Sequence, residues 1–202
     1  MHIKTLSIGL TGGIGSGKTL IGKVFEALGI PVFIADIEAK RCYEDMNFVN
    51  LIAKEISPCI IKDGKFSRET LASKVFSDRE ALQKLNSIMH PIVLNKFESW
   101  KEKQTDNNVP YVIMESAIIF EIGWEKNFDR VICIDTPMEV AINRVINRDN
   151  TTREAILQRI NAQMPTDEKV LRANYVILHD NNTMLLKQIL EIHKNILELC
   201  EK

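Results

Sequence analysis

The chain has 202 residues, 45% hydrophobic and 26% charged, with 26 basic against 27 acidic side chains and a net charge of −1. That length suits one large domain or a core with an inserted subdomain, and the apolar fraction is enough for a buried core. The charge balance excludes a global field that would draw nucleic acid or an anionic membrane, so neither is expected as a partner, and protein partners are left open.

The first element is a short apolar run, Thr5–Leu10, that passes straight into a glycine-rich loop; it is expected to be a buried strand rather than a signal peptide. A helix is predicted from Lys18 to about Leu28, ended by Gly29, and Pro31 opens a second strand, Val32–Ile34. A helical stretch, Ile37–Tyr43, follows. Roughly 70 residues then precede the next strand, far more than the dozen that a crossover requires. They are mostly helical in character, with a turn at Lys62-Asp63-Gly64-Lys65. Asp78 is expected to cap a long helix reaching Lys103, which Pro91 must start, end or kink.

Three further strands are predicted at Tyr111–Met114, Arg130–Ile134 and Tyr175–Leu178. All five runs are continuous rather than alternating, as in strands covered on both faces, and strands alternating with helices point to a parallel sheet. Two S/T-x-x-E boxes, Thr136–Glu139 and Thr151–Glu154, mark helix starts. Met184–Leu199 reads as a helix packed on the sheet, and Trp100 and Trp124 as packing residues. No run approaches the roughly 18 to 20 apolar residues of a membrane span. Cys42, Cys59, Cys133 and Cys200 form no CxxC pair, which favours reduced thiols and a cytoplasmic location.

Gly12-Gly13-Ile14-Gly15-Ser16-Gly17-Lys18-Thr19 matches the phosphate-loop pattern G-x-x-x-x-G-K-[ST]. Glycines let the backbone aim its N–H groups inward as an anion nest, and the next helix adds its positive N-terminus. Lys18 supplies a full charge against the β- and γ-phosphates, and Thr19 offers a hydroxyl to Mg²⁺. The expected ligands are therefore ATP and Mg²⁺. No N-K-x-D guanine reader is present, since Asn95-Lys96-Phe97-Glu98 only approaches it, and no D-x-x-G switch follows the third strand. A GTPase is not expected.

The fold expected is α/β, a three-layer P-loop NTPase-like domain with a five-stranded, mainly parallel sheet. In it a nucleotide-binding core (1–36, 110–143, 171–202) carries a helical acceptor-substrate subdomain (37–109) and a helical lid (144–170).

Asp36 follows the second strand at the sheet edge where ligands bind, and it could take the proton of an acceptor hydroxyl or cap the next helix. Glu115 ends the third strand, where it could hold a magnesium-bound water or serve a turn; Glu121 is a weaker candidate. Arg144, Arg148, Arg153 and Arg159 lie on two consecutive helices, where guanidinium groups can stabilise phosphoryl charge. Arg148 leads them, because Asp149-Asn150 marks a hinge-like break.

The opening Gly9–Lys18, then Gly29-Ile30-Pro31-Val32 leading to Ala35-Asp36, resembles the dephospho-CoA kinase family. So do Leu85-Asn86-x-x-x-His90-Pro91, Arg159-Ile160-x-x-Gln163, Lys169 and Ala173–Ile177. The resemblance implies transfer of the ATP γ-phosphate to the ribose 3′-hydroxyl of dephospho-CoA. It implies that the insertion binds the CoA moiety, that Asp36 is the base, and that Arg148 and Arg144 contact ATP. Lys40, His90 and Glu115 fall at the acceptor site. Three departures stand out. Ile34-Ala35-Asp36 replaces D-A-D, Leu20 replaces a threonine while keeping a backbone N–H for phosphate, and Glu115–Glu121 lacks the usual proline. Another nucleotide kinase and a non-catalytic ATP-binding protein are the alternatives.

Overall fold

The computed structural model describes residues 5–62 and 64–201 of the chain. β1 (Leu6–Gly12) leads into the glycine-rich loop, and α1 (Lys18–Ala27) leaves it. α1 ends in a paired cap: the N–H groups of Gly29 and Ile30 donate to the carbonyls of Glu26 and Phe25, each at 3.0 Å. Phe25 and Ile30 then share one core cluster, the apolar contact that accompanies this kind of cap. β2 (Val32–Ile34) follows Pro31.

Two compact units divide the chain, one made of Met1–Ile34 with Lys101–Lys202, the other of Ala35–Trp100. The second is helical. It contains α2 (Ala35–Cys42), α3 (Met46–Glu55), a hairpin of β3 (Ile61–Lys62) and β4 (Lys65–Phe66), α4 (Arg68–Ser77) and most of α5 (Arg79–Thr105). The hairpin closes around the predicted turn, whose Asp63 lies outside the described residues. The Tyr43 ring stacks on Phe66 at 4.7 Å and meets the edge of Phe48 at 5.3 Å.

Asp78 caps α5 as expected, its Oδ1 accepting the N–H groups of Glu80 and Ala81 at 3.0 Å. Pro91 lies inside α5, and the helix runs through it. One missing N–H is tolerated because α5 buries Ala81, Leu85, Met89, Val93 and Phe97, a stripe spaced by four residues and continuous on both sides of the proline.

In the first unit β5 (Tyr111–Glu115) and β6 (Arg130–Asp135) are followed by α6 (Met138–Asp149), α7 (Arg153–Asn161) and α8 (Thr166–Arg172). β7 (Tyr175–Leu178) and α9 (Leu185–Cys200) complete it. The sheet order is β2-β5-β1-β6-β7, with every pairing parallel. On one face Ile8, Leu10, Ile113, Ile132, Ile134 and Ile177 pack with Ile21 and Phe25 of α1 and with Ile189, Ile192 and Ile196 of α9. Each such side chain contributes roughly 1.5–3 kcal/mol over its exposed state. On the other face the Ile119 and Phe128 side chains close over Gly9, where an added Cβ would meet them at 2.9 and 3.0 Å.

Both predicted helix starts shift by one residue. α6 begins at Met138 with no side-chain cap, because the Thr136 hydroxyl donates to the Ser16 carbonyl at 3.3 Å instead. At α7 the cap is Thr152 rather than Thr151, its Oγ1 accepting from Ala155 N–H at 3.3 Å. All four cysteines are free. Among the described residues no helix is long and apolar enough to cross a membrane.

Candidate active site

The loop between β1 and α1 is shaped by what presses on it. Gly15, at φ +74, has the Ala141 carbonyl oxygen of α6 only 2.4 Å from where a Cβ would sit. Gly17, at φ +92, has His179 Nδ1 at 2.6 Å from that point. Any side chain at either position would have to displace backbone or imidazole and adopt a left-handed conformation besides. α1 starts at Lys18 with no acidic residue in its first turn, so nothing on that turn cancels its positive end.

Lys18 Nζ donates to the carbonyls of Gly12 and Gly13 at 2.9 and 3.0 Å, which holds the ammonium folded against the loop. Thr19 Oγ1 donates to Glu115 Oε1 at 3.2 Å, and Glu115 is buried at the end of β5. Ser16 is buried while Leu20 is 52% exposed.

Asp36, Lys40 and His90 belong to the helical unit. Asp36 is exposed in the first turn of α2, inside the helix rather than at its cap, and Lys40 is exposed one turn further on. His90 is half-buried in α5, and that burial lowers its pKa.

The four arginines occupy α6 and α7 as expected, and each has a partner. Arg148 grips Asp149 with Nε–Oδ1 at 2.7 Å and Nη2–Oδ2 at 2.9 Å, and Asp149 raises its pKa. Asn150 ends α6 in a left-handed conformation, φ 48, which makes the break beside it. Arg153 pairs with Glu139 of α6 at 2.5 and 2.8 Å, and Arg159 lies 4.0 Å from Asp149. Arg144 reaches the other way. It donates to the His179 carbonyl at 3.3 Å, approaches His179 Nδ1 at 3.1 Å and bonds Asn181 Oδ1. Desolvation lowers its pKa.

Three residues make contacts that no short window of sequence contains. His179 Nδ1 lies 2.8 Å from the Ser16 carbonyl, and the His179 carbonyl accepts from Arg144, so this residue joins the loop to Arg144. Gln163 Oε1 accepts the Ile14 N–H at 3.1 Å. Lys169, fully buried, donates to Ala117 O at 2.7 Å and pairs with Glu121 Oε1 at 2.6 Å, an oxygen that also accepts from Met164 N–H at 3.1 Å. His179 sits just past β7, at the strand edge where ligands bind, so that edge rule applied to the last strand would have found it. Just beyond it, Asn181 meets Arg144. Asp180 is held in its own turn, accepting from Asn182 N–H at 2.9 Å and Thr183 N–H at 2.8 Å.

A cavity of about 580 Å³ adjoins the loop, lined in part by Gly13, Ile14, Ser16, Thr136, Gln163 and Thr166. Cys133 of β6 lies near Lys18 and Lys169, yet burial pushes its thiol up to about 12 and makes it a packing residue.

A glycine-rich phosphate loop between the first strand and first helix of a parallel sheet, with arginine-bearing helices after the fourth core strand, defines a P-loop kinase. Comparison with known proteins narrows the class. A family model described as dephospho-CoA kinase matches residues 6–185. A dephospho-CoA kinase of Bacteroides fragilis is 34% identical over 192 residues, covering 93% of this chain and 91% of that protein. One from Pseudoalteromonas translucida is 33% identical over 204 residues, covering 100% and 96%. Among solved structures, the dephospho-CoA kinase of Campylobacter jejuni superposes with a TM-score of 0.68 at 25% identity, covering 95% of this chain and 97% of that one. A Thermus thermophilus protein superposes at 0.81 with 33% identity, covering 96% and 97%. The chain belongs to the dephospho-CoA kinase family.

Proposed function

We propose that this enzyme transfers the γ-phosphoryl group of ATP to the 3′-hydroxyl of the ribose in dephospho-CoA, giving ADP and CoA, the last step of CoA biosynthesis in the cytoplasm. The observation that carries the reading is a complete phosphate loop, Gly12–Thr19, in a chain that matches this family over residues 6–185. The loop N–H groups, including that of Leu20, and the start of α1 hold the phosphate chain. Lys18 leaves the Gly12 and Gly13 carbonyls for the β- and γ-phosphates, a stronger anionic partner than two neutral oxygens.

Arg148 exchanges Asp149 for phosphate at its exposed end of α6, and Arg144 holds the nucleotide beside His179. Asp36 accepts the proton as the 3′-hydroxyl attacks phosphorus, and Lys40 and His90 bind the acceptor. Among the described residues no group of three or more His, Cys, Asp or Glu could hold a metal. Thr19 Oγ1 and Glu115 Oε1, 3.2 Å apart, are hard oxygens of the kind Mg²⁺ takes in small number beside phosphate oxygens and water. Held by Thr19 and Glu115, Mg²⁺ would supply positive charge against the negative charge that develops during transfer.

The test is ADP release measured with dephospho-CoA, AMP and adenosine as separate acceptors. Turnover is expected with dephospho-CoA alone; turnover with AMP and none with dephospho-CoA would refute the reading.

A further inference from the structure

We propose that Gln163 is a positioning residue that ties the connection between α7 and α8 to the tip of the phosphate loop and so closes the phosphoryl-transfer cavity to water. The proposal rests on reading Gly12–Thr19 as the ATP cradle. The tie has two components at one loop residue. Gln163 Oε1 accepts the Ile14 N–H at 3.1 Å, across 149 positions of sequence. The Ile14 side chain packs into the small apolar cluster of α6 and α7, made of Ile142, Val145 and Ile156 with Ile160 alongside. Ile14 is thus clasped at its amide and at its side chain by the same region.

The strap is also anchored immediately beyond Gln163. Met164 N–H donates to Glu121 Oε1 at 3.1 Å, and that oxygen is held by the buried Lys169 at 2.6 Å. Residues 163–169 therefore run from the loop tip to the segment after β5, fixed at both ends. Ile14, Gln163, Met164 and Thr166 all line the 580 Å³ cavity, so this strap is one of its walls. Releasing Gln163 would detach one edge of that wall while leaving the Glu121 anchor in place. Water reaching an activated γ-phosphate hydrolyses ATP without phosphorylating an acceptor, and displacing a wall by about 1 Å costs rate even when binding survives.

The residue type fits the role. A carboxamide oxygen accepts the Ile14 N–H without placing a negative charge beside the phosphates, which a carboxylate would do. Methionine at this position keeps the length and removes the acceptor. Proline at Ile14 removes the donor from the opposite side.

The experiment compares Q163M, Q163E and I14P with the wild type. Transfer and acceptor-independent ADP release are followed together, melting temperature is checked, and amide exchange at Ile14 is read by NMR in the ATP-analogue complex. Q163M is expected to lower kcat for transfer on the order of 10-fold, with the KM for ATP within about 3-fold; I14P, which changes the cradle itself, is read only for its coupling ratio. Both should raise the ratio of ADP released to acceptor phosphorylated. Q163E keeps an acceptor for Ile14 N–H and is expected to keep that ratio near wild type, whatever its charge does to KM. Ile14 amide exchange should accelerate in Q163M.

Wild-type kcat and coupling in Q163M would overturn the proposal, as would a Q163E that uncouples like Q163M. If Q163M does not fold, Q163A, which also lacks the acceptor for Ile14 N–H, is read in its place by the same two readouts. Should dephospho-CoA prove not to be the acceptor, the Ile14 exchange rate still decides: an unchanged rate in Q163M overturns the tie itself.

Discussion

Replacing Lys169 by methionine tests how the segment after α7 is held. The methionine fills nearly the same volume, so the substitution removes charge with little change in packing. In the native protein Lys169 is fully buried, with its ammonium on Ala117 O and Glu121 Oε1 at 2.7 and 2.6 Å. Removing one partner of a buried pair costs about 3–5 kcal/mol, because the other is left uncompensated. Here the lower end applies. Glu121 keeps the Met164 N–H, and its side chain is 18% exposed, so water recovers part of the loss. A cost of about 3 kcal/mol corresponds to a fall in Tm of about 6–12 °C for a protein of this size.

The assay is thermal and urea unfolding followed by Trp124, which is buried in the core unit, in a Trp100→Phe background that silences the helical unit. The Lys169→Met/Glu121→Gln double variant should lose less than the sum of its singles by at least about 1 kcal/mol, since the two changes share one interaction. A loss below about 1 kcal/mol in Lys169→Met, or strict additivity in the cycle, would show that the pair does not hold α8 in place.

Asp36→Asn should remove most turnover while ATP affinity stays within a few-fold, checked by calorimetry beside the kinetic assay; near-wild-type turnover would disqualify Asp36 as the base. Arg148→Ala should lower kcat more than it raises the KM for ATP, because its interaction strengthens as phosphoryl charge develops, and an equal effect on both would assign it to ground-state binding. Stability should also depend on His193 of α9, whose Nδ1 lies 2.6 Å from the Tyr111 hydroxyl and whose pKa burial lowers from 6.5. Above pH 6.5 the imidazole is neutral in both states and its contribution is fully present. As pH falls below 6.5 the unfolded chain takes up the proton that the folded chain resists, and stability drops. His193→Gln should flatten the Tm–pH curve in that window, and an unchanged slope would contradict the assignment.

The fold was largely legible because its signals are local. Continuous apolar runs found all five core strands within a residue or two, and Gly12–Thr19 placed the cradle by spacing alone. Local rules misread the elements that the site recruits. Thr136 looks like a helix cap, but the loop takes its hydroxyl through the Ser16 carbonyl, so α6 starts uncapped. Pro91 looks like a boundary, but the buried stripe of α5 outweighs one lost hydrogen bond. Gln163 and Lys169 were visible only as members of a family pattern. Gln163 meets Ile14 across 149 positions and Lys169 meets Ala117 across 52, so no window of sequence contains both partners of either contact. His179 was legible in principle from its place after the last strand, but nothing in its neighbours shows that it reaches Ser16 and Arg144.

The oxygen that receives the phosphoryl group defines the reaction. Incubation with γ-labelled ATP and dephospho-CoA, followed by mass spectrometry and phosphorus NMR of the product, reads that oxygen directly. One new phosphomonoester is expected on the ribose 3′-hydroxyl, carrying the label, with one ADP formed per product and no product from Lys18→Ala. A label found on another oxygen, or released as inorganic phosphate with dephospho-CoA unchanged, would contradict it.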